Sequence, residues 1–284
     1  MKILSYAVGG KSSFGLLVEG GVVDLAERLG VSTLKAALAS NLLGRAAAFA
    51  QEPADHPLEG ITFLPVVPDP AHIWCMAINY QDHIDEIKAV GINRDVPKEP
   101  ALFMRYPDSL IGHLQPILKP RESNELDWEA ELAVIIGKGG SRISEENALD
   151  HVAGYTAFND GSVRDWQFHT RQIAPGKNFR ATGSLGPWMV TADVFGDPGD
   201  VPVKTRLNGE TLQDSSTRYF IHNIPKMIAY VSTILDLQPG DVIATGTPSG
   251  VGFSRKPPIF MKEGDTVEVE IGGVGVLINP IELD

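Results

Sequence analysis

Residues 126–137 read LDWEAELAVIIG, a stretch with an acid at every second position that then becomes almost purely apolar. Side chains two residues apart in a β-strand point to the same face of the sheet. The stretch therefore predicts a strand with three carboxylates, Asp127, Glu129 and Glu131, on one face and apolar side chains on the other. Ionised together, these neighbouring carboxylates repel one another.

Two interpretations remove this repulsion. In the first, the acids lie on a solvated edge where water screens their charges. In the second, a divalent cation converts the repulsion into ligation. Ligands that are all oxygen favour Mg²⁺, Mn²⁺ or Ca²⁺ over zinc.

Composition and charge narrow the class of protein. The chain has 284 residues, of which 43% are hydrophobic, and a net charge of −12, so a sizeable core is expected and nucleic-acid binding is not. Cys75 is the only cysteine, which excludes an intrachain disulfide and a cysteine zinc site. The sequence begins without an apolar leader and contains no apolar run long enough to span a bilayer, so we expect a cytoplasmic protein without a membrane partner.

The order of predicted elements indicates a β-rich α+β fold. Residues 1–68 form a predicted small N-terminal α/β domain, and residues 69–284 a larger one, because residues 63–72 carry three prolines. Helices are predicted over residues 32–51 and 224–237, and the Asn208-Gly209 pair predicts a hairpin. Strict alternation of strand and helix, as in a doubly wound sheet, is missing.

Further polar groups follow the acidic strand. A second predicted strand, GYTAFND, ends at Asp160, which would let a third carboxylate reach the first two. Arg164 and Gln167 are three residues apart, on one face of a helical turn, and Lys177 follows a Pro-Gly turn. A mixed-charge cluster of this kind suits an anionic, oxygen-rich ligand bridged to a metal, although Arg164 and Lys177 taken singly are typical of surface ion pairs.

A second candidate group lies in NYQDHIDE. His83 and Glu86 are at positions i and i+3 of a predicted short helix, so their side chains can touch. A carboxylate beside an imidazole fixes its tautomer and makes His83 a candidate general base. The alternative is the polar face of a surface helix.

The stretch GDVIATGTPSGVG, residues 240–252, predicts a turn lined by backbone N–H and hydroxyl donors. It lacks the GK[ST] ending of a phosphate-binding loop, so we do not expect nucleotide binding. A donor-lined turn that meets a carboxylate and an ordinary tight turn are equally compatible with it.

Six of these stretches together resemble the fumarylacetoacetate hydrolase family. They are INYQDHIDE, LDWEAELAVIIGK, GYTAFNDGSVRDWQ, PGKNF followed by GP, LNGETLQ and LQPGDVIATGTPSGVG, and they occur in the family's order over roughly residues 73–280. The resemblance implies a mixed β-sandwich roll and a homodimer. It also implies a lid formed by residues 82–98.

The resemblance assigns roles to residues of this chain. It implies an Mg²⁺ or Mn²⁺ site of Glu129, Glu131 and Asp160. The implied catalytic residues are His83, Glu86 and Lys177, and the implied substrate contacts are Arg105, Arg164, Gln167 and Thr247. Arg105 is a departure, because many members carry Lys there, and Arg can grip a distal carboxylate bidentately. Asp127 is outside the matched ligands and is expected either behind them or at the surface.

These residues lead to a functional hypothesis. We expect a metal-dependent hydrolase that cleaves a C–C bond of a small-molecule β-diketo acid of the acylpyruvate type, giving a carboxylate and a 2-oxo acid. The alternative is an oxaloacetate-type decarboxylase or a keto–enol isomerase that uses the same metal-enolate chemistry. A non-catalytic metal or ligand binder is disfavoured, because base, lysine and metal acids are all present.

Overall fold

The computed structural model describes residues 1–93 and 95–284, and Arg94 lies outside the described part. The strands are β1 (Lys2–Val8), β2 (Lys11–Val18), β3 (Gly21–Asp24), β4 (Thr62–Phe63), β5 (Ile73–Met76), β6 (Leu102–Arg105), β7 (Leu110–Ile111), β8 (Ile117–Lys119), β9 (Leu126–Asp127), β10 (Ala130–Ile136), β11 (Val152–Asn159), β12 (Ser162–Val163), β13 (Gly183–Thr191), β14 (Pro202–Leu207), β15 (Glu210–Ser216), β16 (Val242–Ala244), β17 (Thr266–Ile271) and β18 (Gly275–Leu283). The α-helices are α1 (Ala26–Leu29), α2 (Leu34–Ala39), α3 (Gln81–Ala89), α4 (Arg164–Gln167), α5 (Ala174–Lys177), α6 (Ala192–Phe195) and α7 (Ile224–Ile234). Short 3₁₀ helices cover Leu43–Phe49, Leu58–Gly60, Pro107–Ser109, Glu145–His151 and Thr217–Tyr219.

The described residues form two large mixed sheets and one small antiparallel pair, in which β9 lies beside β12. The larger mixed sheet runs in the order β3-β2-β1-β13-β11-β10-β16-β5-β6, with β4 on β1 and β7 on β13, and the smaller mixed sheet runs β15-β14-β17-β18-β8. Leu132 and Val134 of β10 share one buried cluster with Val203 of β14 and with Val269 and Ile271 of β17. The sheets therefore pack face to face, and the predicted β-rich sandwich is confirmed.

The N-terminal segment joins the larger sheet directly. Strand β1 pairs antiparallel with β13, with Lys2 opposite Val190. Ile3 and Phe14 lie in the same buried cluster as Cys75 and Ala133 of the longer segment. The division of the chain near residue 68 stays a prediction, and these contacts cross it.

The structure confirms the predicted hairpin and corrects one predicted helix. The predicted hairpin is present, with Leu207 opposite Glu210 and positive φ angles of 52° at Asn208 and 83° at Gly209. The helix expected over residues 32–51 is wrong in its continuity, because Asn41 at φ 53° breaks it into α2 and a 3₁₀ helix. Among the described residues, no helix has the length and apolar character needed to cross a membrane.

Candidate functional site

Three of the predicted acids meet at one end of the paired strands β10 and β11. Glu129 precedes β10, Glu131 lies on it, and Asp160 follows β11. The backbone N–H of Asp160 donates to the carbonyl of Glu129 at 3.0 Å, which holds the two chain segments in register. One carboxylate oxygen from each of the three residues lies within 4.8 Å of the others.

Burial decides between the two interpretations of the acidic strand. Glu131 and Asp160 have 0% exposure and Glu129 has 7%. Since these carboxylates are almost completely buried, the solvated-edge interpretation is wrong. Their charges must be balanced by the protein or by a bound ion.

Three buried cations supply part of this balance. Lys177 donates from Nζ to Glu129 at 2.8 Å and to Asp160 at 2.7 Å. Arg164 donates from Nη1 to the other oxygen of Glu129 at 2.6 Å. Arg105 donates to Asp160 at 2.6 Å. Neither Arg164 nor Lys177 is a surface ion-pair residue, since each is only 2% exposed.

Glu131 is the acid without a cationic partner among the described residues. Its Oε2 atom accepts a hydrogen bond from the backbone N–H of Gly246 at 2.7 Å, whereas its buried Oε1 atom has no hydrogen-bond partner within residues 1–93 and 95–284. Burial, together with the like charges of Asp160 and Glu129, raises the pKa of Glu131 well above its usual range. Burial also acts to raise the pKa of Glu129, but Lys177 and Arg164 outweigh it and lower that pKa to about 2.

The donor set fits a divalent cation. Three clustered carboxylates offer the oxygen ligands that Mg²⁺ and Mn²⁺ prefer, and Ca²⁺ accepts the same donors. Such an ion would bind the Oε1 atom of Glu131, which lacks a hydrogen-bond partner in the described structure, and would stabilise the ionised form of that carboxyl against the effect of burial. Glu129, Glu131 and Asp160 are the residues that would hold it.

Asp127 is neither a surface acid nor a member of the triad. It is fully buried and accepts hydrogen bonds from Arg164 Nε at 2.8 Å and from the backbone N–H groups of Gly252 and Phe253 at 2.7 and 3.0 Å. The surface expectation is wrong, because the carboxylate anchors both Arg164 and the loop after β16. The aromatic ring of Phe253 lies 4.5 Å from the Arg164 guanidinium.

His83 and Glu86 form a hydrogen-bonded pair on α3. Nδ1 of His83 lies 3.0 Å from Glu86 Oε2, so the imidazole donates there and keeps Nε2 for another proton. The other oxygen of Glu86 accepts from the N–H of Gly250 at 2.8 Å and from Ser254 Oγ at 2.7 Å. Burial opposes ionisation of Glu86, but these bonds prevail and lower its pKa. The alternative of a solvated helix face is wrong, since His83 is 7% exposed.

The turn of residues 245–254 uses its donors on the protein's own carboxylates. Gly246 donates to Glu131, Gly250 to Glu86, and Gly252 to Asp127. The donor-lined interpretation is confirmed. The turn thereby connects the base-bearing helix to the acidic strand.

Two residues that hydrogen-bond to the site, Gln213 and Ser254, were not predicted from the sequence. Gln213 donates to Thr247 Oγ1 at 2.9 Å and accepts from the N–H of Ala130 at 3.0 Å, so it links the turn to β10. It ends the LNGETLQ stretch, in which the Asn-Gly turn is a clear local signal and the glutamine is not. Ser254 lies just beyond GDVIATGTPSGVG and carried no signal of its own.

The predicted substrate contacts occupy different places. Arg164 and Gln167 line a cavity of about 420 Å³, together with Phe103, Ile87 and Phe168. Arg105 is not in the lining of this cavity, because its side chain lies behind Asp160. The roles of these residues toward a substrate stay predictions.

The cavity lies beside the acids rather than over them, since none of the three belongs to its lining. Arg164 connects the two, because it lines the cavity and donates to Glu129. Ile87 of α3 and Ile92 contribute to the wall, so the predicted lid segment borders the cavity. Residue 94 of that segment lies outside the described residues.

A model of the fumarylacetoacetate hydrolase C-terminal domain matches residues 72–282. The chain belongs to the fumarylacetoacetate hydrolase family. An oxaloacetate tautomerase of Rattus norvegicus is 40% identical over 281 residues, which cover 96% of this chain and 87% of the relative. One of Xenopus laevis is 45% identical over 223 residues, covering 78% and 68% of the two chains, and both relatives carry "mitochondrial" in their names.

Solved structures of the fumarylacetoacetate hydrolase family share the fold. A fumarylacetoacetate hydrolase from Exiguobacterium antarcticum superposes with a TM-score of 0.86 at 34% identity and covers 100% of both chains. A maleylpyruvate hydrolase from Sphingobium, in complex with manganese(II) and pyruvate, gives a TM-score of 0.81 at 28% identity, covering 100% of this chain and 99% of that one. Enzymes of this family therefore include tautomerases, isomerases and hydrolases.

Proposed function

We propose that this protein is a metal-dependent enzyme that interconverts the keto and enol forms of a small 2-oxo acid, with oxaloacetate as the first substrate to test. The observation that carries the proposal is the buried triad of Glu129, Glu131 and Asp160, in which the Glu131 carboxylate has no cationic partner in the part of the chain that the structure describes. The named activity of relatives at 40% and 45% identity supports the choice of tautomerisation.

A divalent cation held by the triad would polarise the 2-oxo group as a Lewis acid. The protein's own cations would bind the negative charge of the substrate. Arg164 has a buried Nη2 group without a hydrogen-bond partner in the described structure, and it borders the cavity. Lys177 uses two of its three N–H donors on Glu129 and Asp160, which leaves one for a substrate oxygen.

His83 is the general base that transfers the proton. Because Nδ1 donates to Glu86, Nε2 carries the lone pair that removes a proton from the carbon beside the 2-oxo group. The same nitrogen then delivers the proton to the oxygen of the resulting enolate, which completes the enol, and in the reverse direction it takes the proton from that oxygen and returns it to the carbon. Thr247 Oγ1 accepts from Gln213, so its own hydroxyl proton stays available for a substrate oxygen.

Hydrolysis of an acylpyruvate is the second candidate, and the His83–Glu86 pair is the observation that favours it. In that reaction His83 would take a proton from water, and the resulting hydroxide would attack the distal carbonyl. Lys177 would stabilise the oxyanion. The C–C bond would then break to a carboxylate and the enol of a 2-oxo acid. Decarboxylation of oxaloacetate needs no attacking water and is the third outcome to measure.

One assay separates the three reactions. The full chain, loaded with Mg²⁺ or Mn²⁺, is given oxaloacetate and acetylpyruvate, while ultraviolet absorbance of the enol, CO₂ and pyruvate are followed. We expect metal-dependent acceleration of the enol-to-keto conversion of oxaloacetate. Release of acetate and pyruvate from acetylpyruvate, without acceleration of the tautomerisation, would contradict the tautomerase proposal and support the hydrolase.

The H83A variant tests the assignment of the base. We expect it to lose nearly all activity while Mn²⁺ binding stays intact, because His83 makes no contact with the triad in the described hydrogen-bond network. Full activity of H83A would overturn the assignment. Mn²⁺ binding is measured by calorimetry in the same preparations.

The proposed function extends to the assembly of the chain and to its compartment in the cell. We propose a homodimer, by the family resemblance, with sedimentation velocity as its test. We also propose a cytoplasmic location; the relatives named mitochondrial are the reason to test it by imaging a tagged chain in its own cell.

A further inference from the structure

We infer that Arg105 is a positioning residue that fixes Asp160 for cation binding, rather than a substrate contact. The inference rests on the proposed function in one respect, the presence of a cation at the triad. Arg105 lies on β6, and its side chain has 0% exposure.

All five N–H groups of the guanidinium are used within the protein. Nη1 donates to Asp160 Oδ1 at 2.6 Å and to the carbonyl of Gly161 at 2.9 Å. Nε donates to Ser109 Oγ at 3.1 Å. Nη2 donates to the carbonyl of Ser109 at 3.3 Å and to Thr182 Oγ1 at 3.1 Å. No donor is left over for a substrate carboxylate.

Arg105 and Lys177 divide the carboxylate of Asp160 between them. Arg105 binds Oδ1, and Lys177 binds Oδ2 at 2.7 Å. The hydrogen bond from Arg105 to Oδ1 therefore helps to orient the Asp160 carboxylate independently of the bond from Lys177 to Oδ2. Groups that orient a metal ligand in this way typically change metal affinity about 10- to 100-fold when they are lost.

The guanidinium of Arg105 packs against Gly183, where the absence of a side chain leaves space for it. A Cβ atom on Gly183 would lie 2.7 Å from Arg105 Nη2 and 2.8 Å from its Cζ atom. The G183A substitution would therefore push the guanidinium away, together with the Leu110 side chain, whose Cδ2 atom would lie 2.9 Å from the new Cβ. It provides a variant that shifts the guanidinium and keeps its charge.

The test measures Mn²⁺ affinity of the full chain by calorimetry, together with kcat and KM at saturating Mn²⁺. We expect R105M to bind Mn²⁺ about 100-fold more weakly, because it loses both the charge and the fork of donors. R105K and G183A should weaken binding about 10-fold, since each keeps a positive charge near Asp160. The R206M variant is the control, because Arg206 pairs with Glu268 and Glu270 outside the cluster.

The outcomes are separable. Unchanged Mn²⁺ affinity in R105M, with a raised KM, would overturn the inference in favour of a substrate contact. If R105M does not fold, as judged by circular dichroism, R105K and G183A decide, and wild-type affinity in both overturns it. A wild-type protein that binds no Mn²⁺ would overturn the metal part of the proposed function and this inference with it. If the wild type binds Mn²⁺ and the Arg105 variants bind it with the same affinity, the inference alone is overturned.

Discussion

The Nζ atom of Lys177 lies 2.7 Å from a carboxylate oxygen of Asp160, and both side chains are buried. Removing one partner of a buried ion pair leaves an uncompensated charge, which typically costs about 3–5 kcal/mol. We therefore expect K177M, without metal, to unfold at a distinctly lower urea concentration than the wild type. Because a divalent cation would replace the lost charge, Mn²⁺ should stabilise K177M more than it stabilises the wild type.

Thermal unfolding with EDTA and with Mn²⁺ measures this difference. The matched control is K204M, which removes the exposed Lys204–Asp214 pair and should change stability by less than about 1 kcal/mol. An equal Mn²⁺-induced rise in the melting temperatures of K177M and wild type would contradict the prediction.

Glu131 should favour metal binding and lower the stability of the metal-free fold at neutral pH. Burial and the nearby acids raise its folded-state pKa above the unfolded value. Above the unfolded pKa, the unfolded chain releases a proton that the folded chain retains, so this residue makes stability fall as pH rises. At pH 7 with EDTA, E131Q should be at least as stable as the wild type in urea, and its Mn²⁺ affinity should fall at least about 10-fold. A large loss of metal-free stability would count against this account.

Glu86 should matter for turnover and not for metal binding. It orients His83 through a 3.0 Å hydrogen bond and is itself fixed by Gly250 and Ser254. We expect E86Q to lower kcat about 100-fold, at the lower end of the range for general-base catalysis, with unchanged Mn²⁺ affinity. S254A should have a smaller effect, since the Gly250 bond remains.

Q81A provides the control on the same helix, because Gln81 bonds only the exposed Asp85 among the described contacts. Its kcat should equal that of the wild type. Wild-type kcat in E86Q would show that the pair is structural only.

His113 should make the fold sensitive to acid. Burial lowers its pKa to about 4, and its Nδ1 accepts the N–H of Ile278 at 3.1 Å. Between about pH 6.5 and 4 the unfolded chain binds a proton that the folded chain excludes, so stability falls as pH falls through this window. H113N keeps an acceptor but does not titrate. Urea unfolding at pH 7 and pH 4.5 should show the wild type losing about 1–2 kcal/mol more than H113N, a figure reduced for partial solvent screening; parallel losses would refute it.

Several features follow from the sequence because they depend on neighbours along the chain. The Asn208-Gly209 pair determines the hairpin, since both residues take the positive φ angles that the turn requires. The i and i+3 spacing brings His83 against Glu86 on a single helix. The register of β10 and β11 then carries Asp160 to Glu129.

Only the tertiary structure decided what lies opposite each side chain. Spacing predicts which face of a strand a carboxylate occupies, but whether that face meets water or cations depends on packing by distant segments. Asp127 is buried because Gly252, 125 residues later in the chain, donates to it. Arg105 lies behind Asp160, although the family resemblance implied a substrate contact, because the space beside Gly183 accepts its guanidinium there.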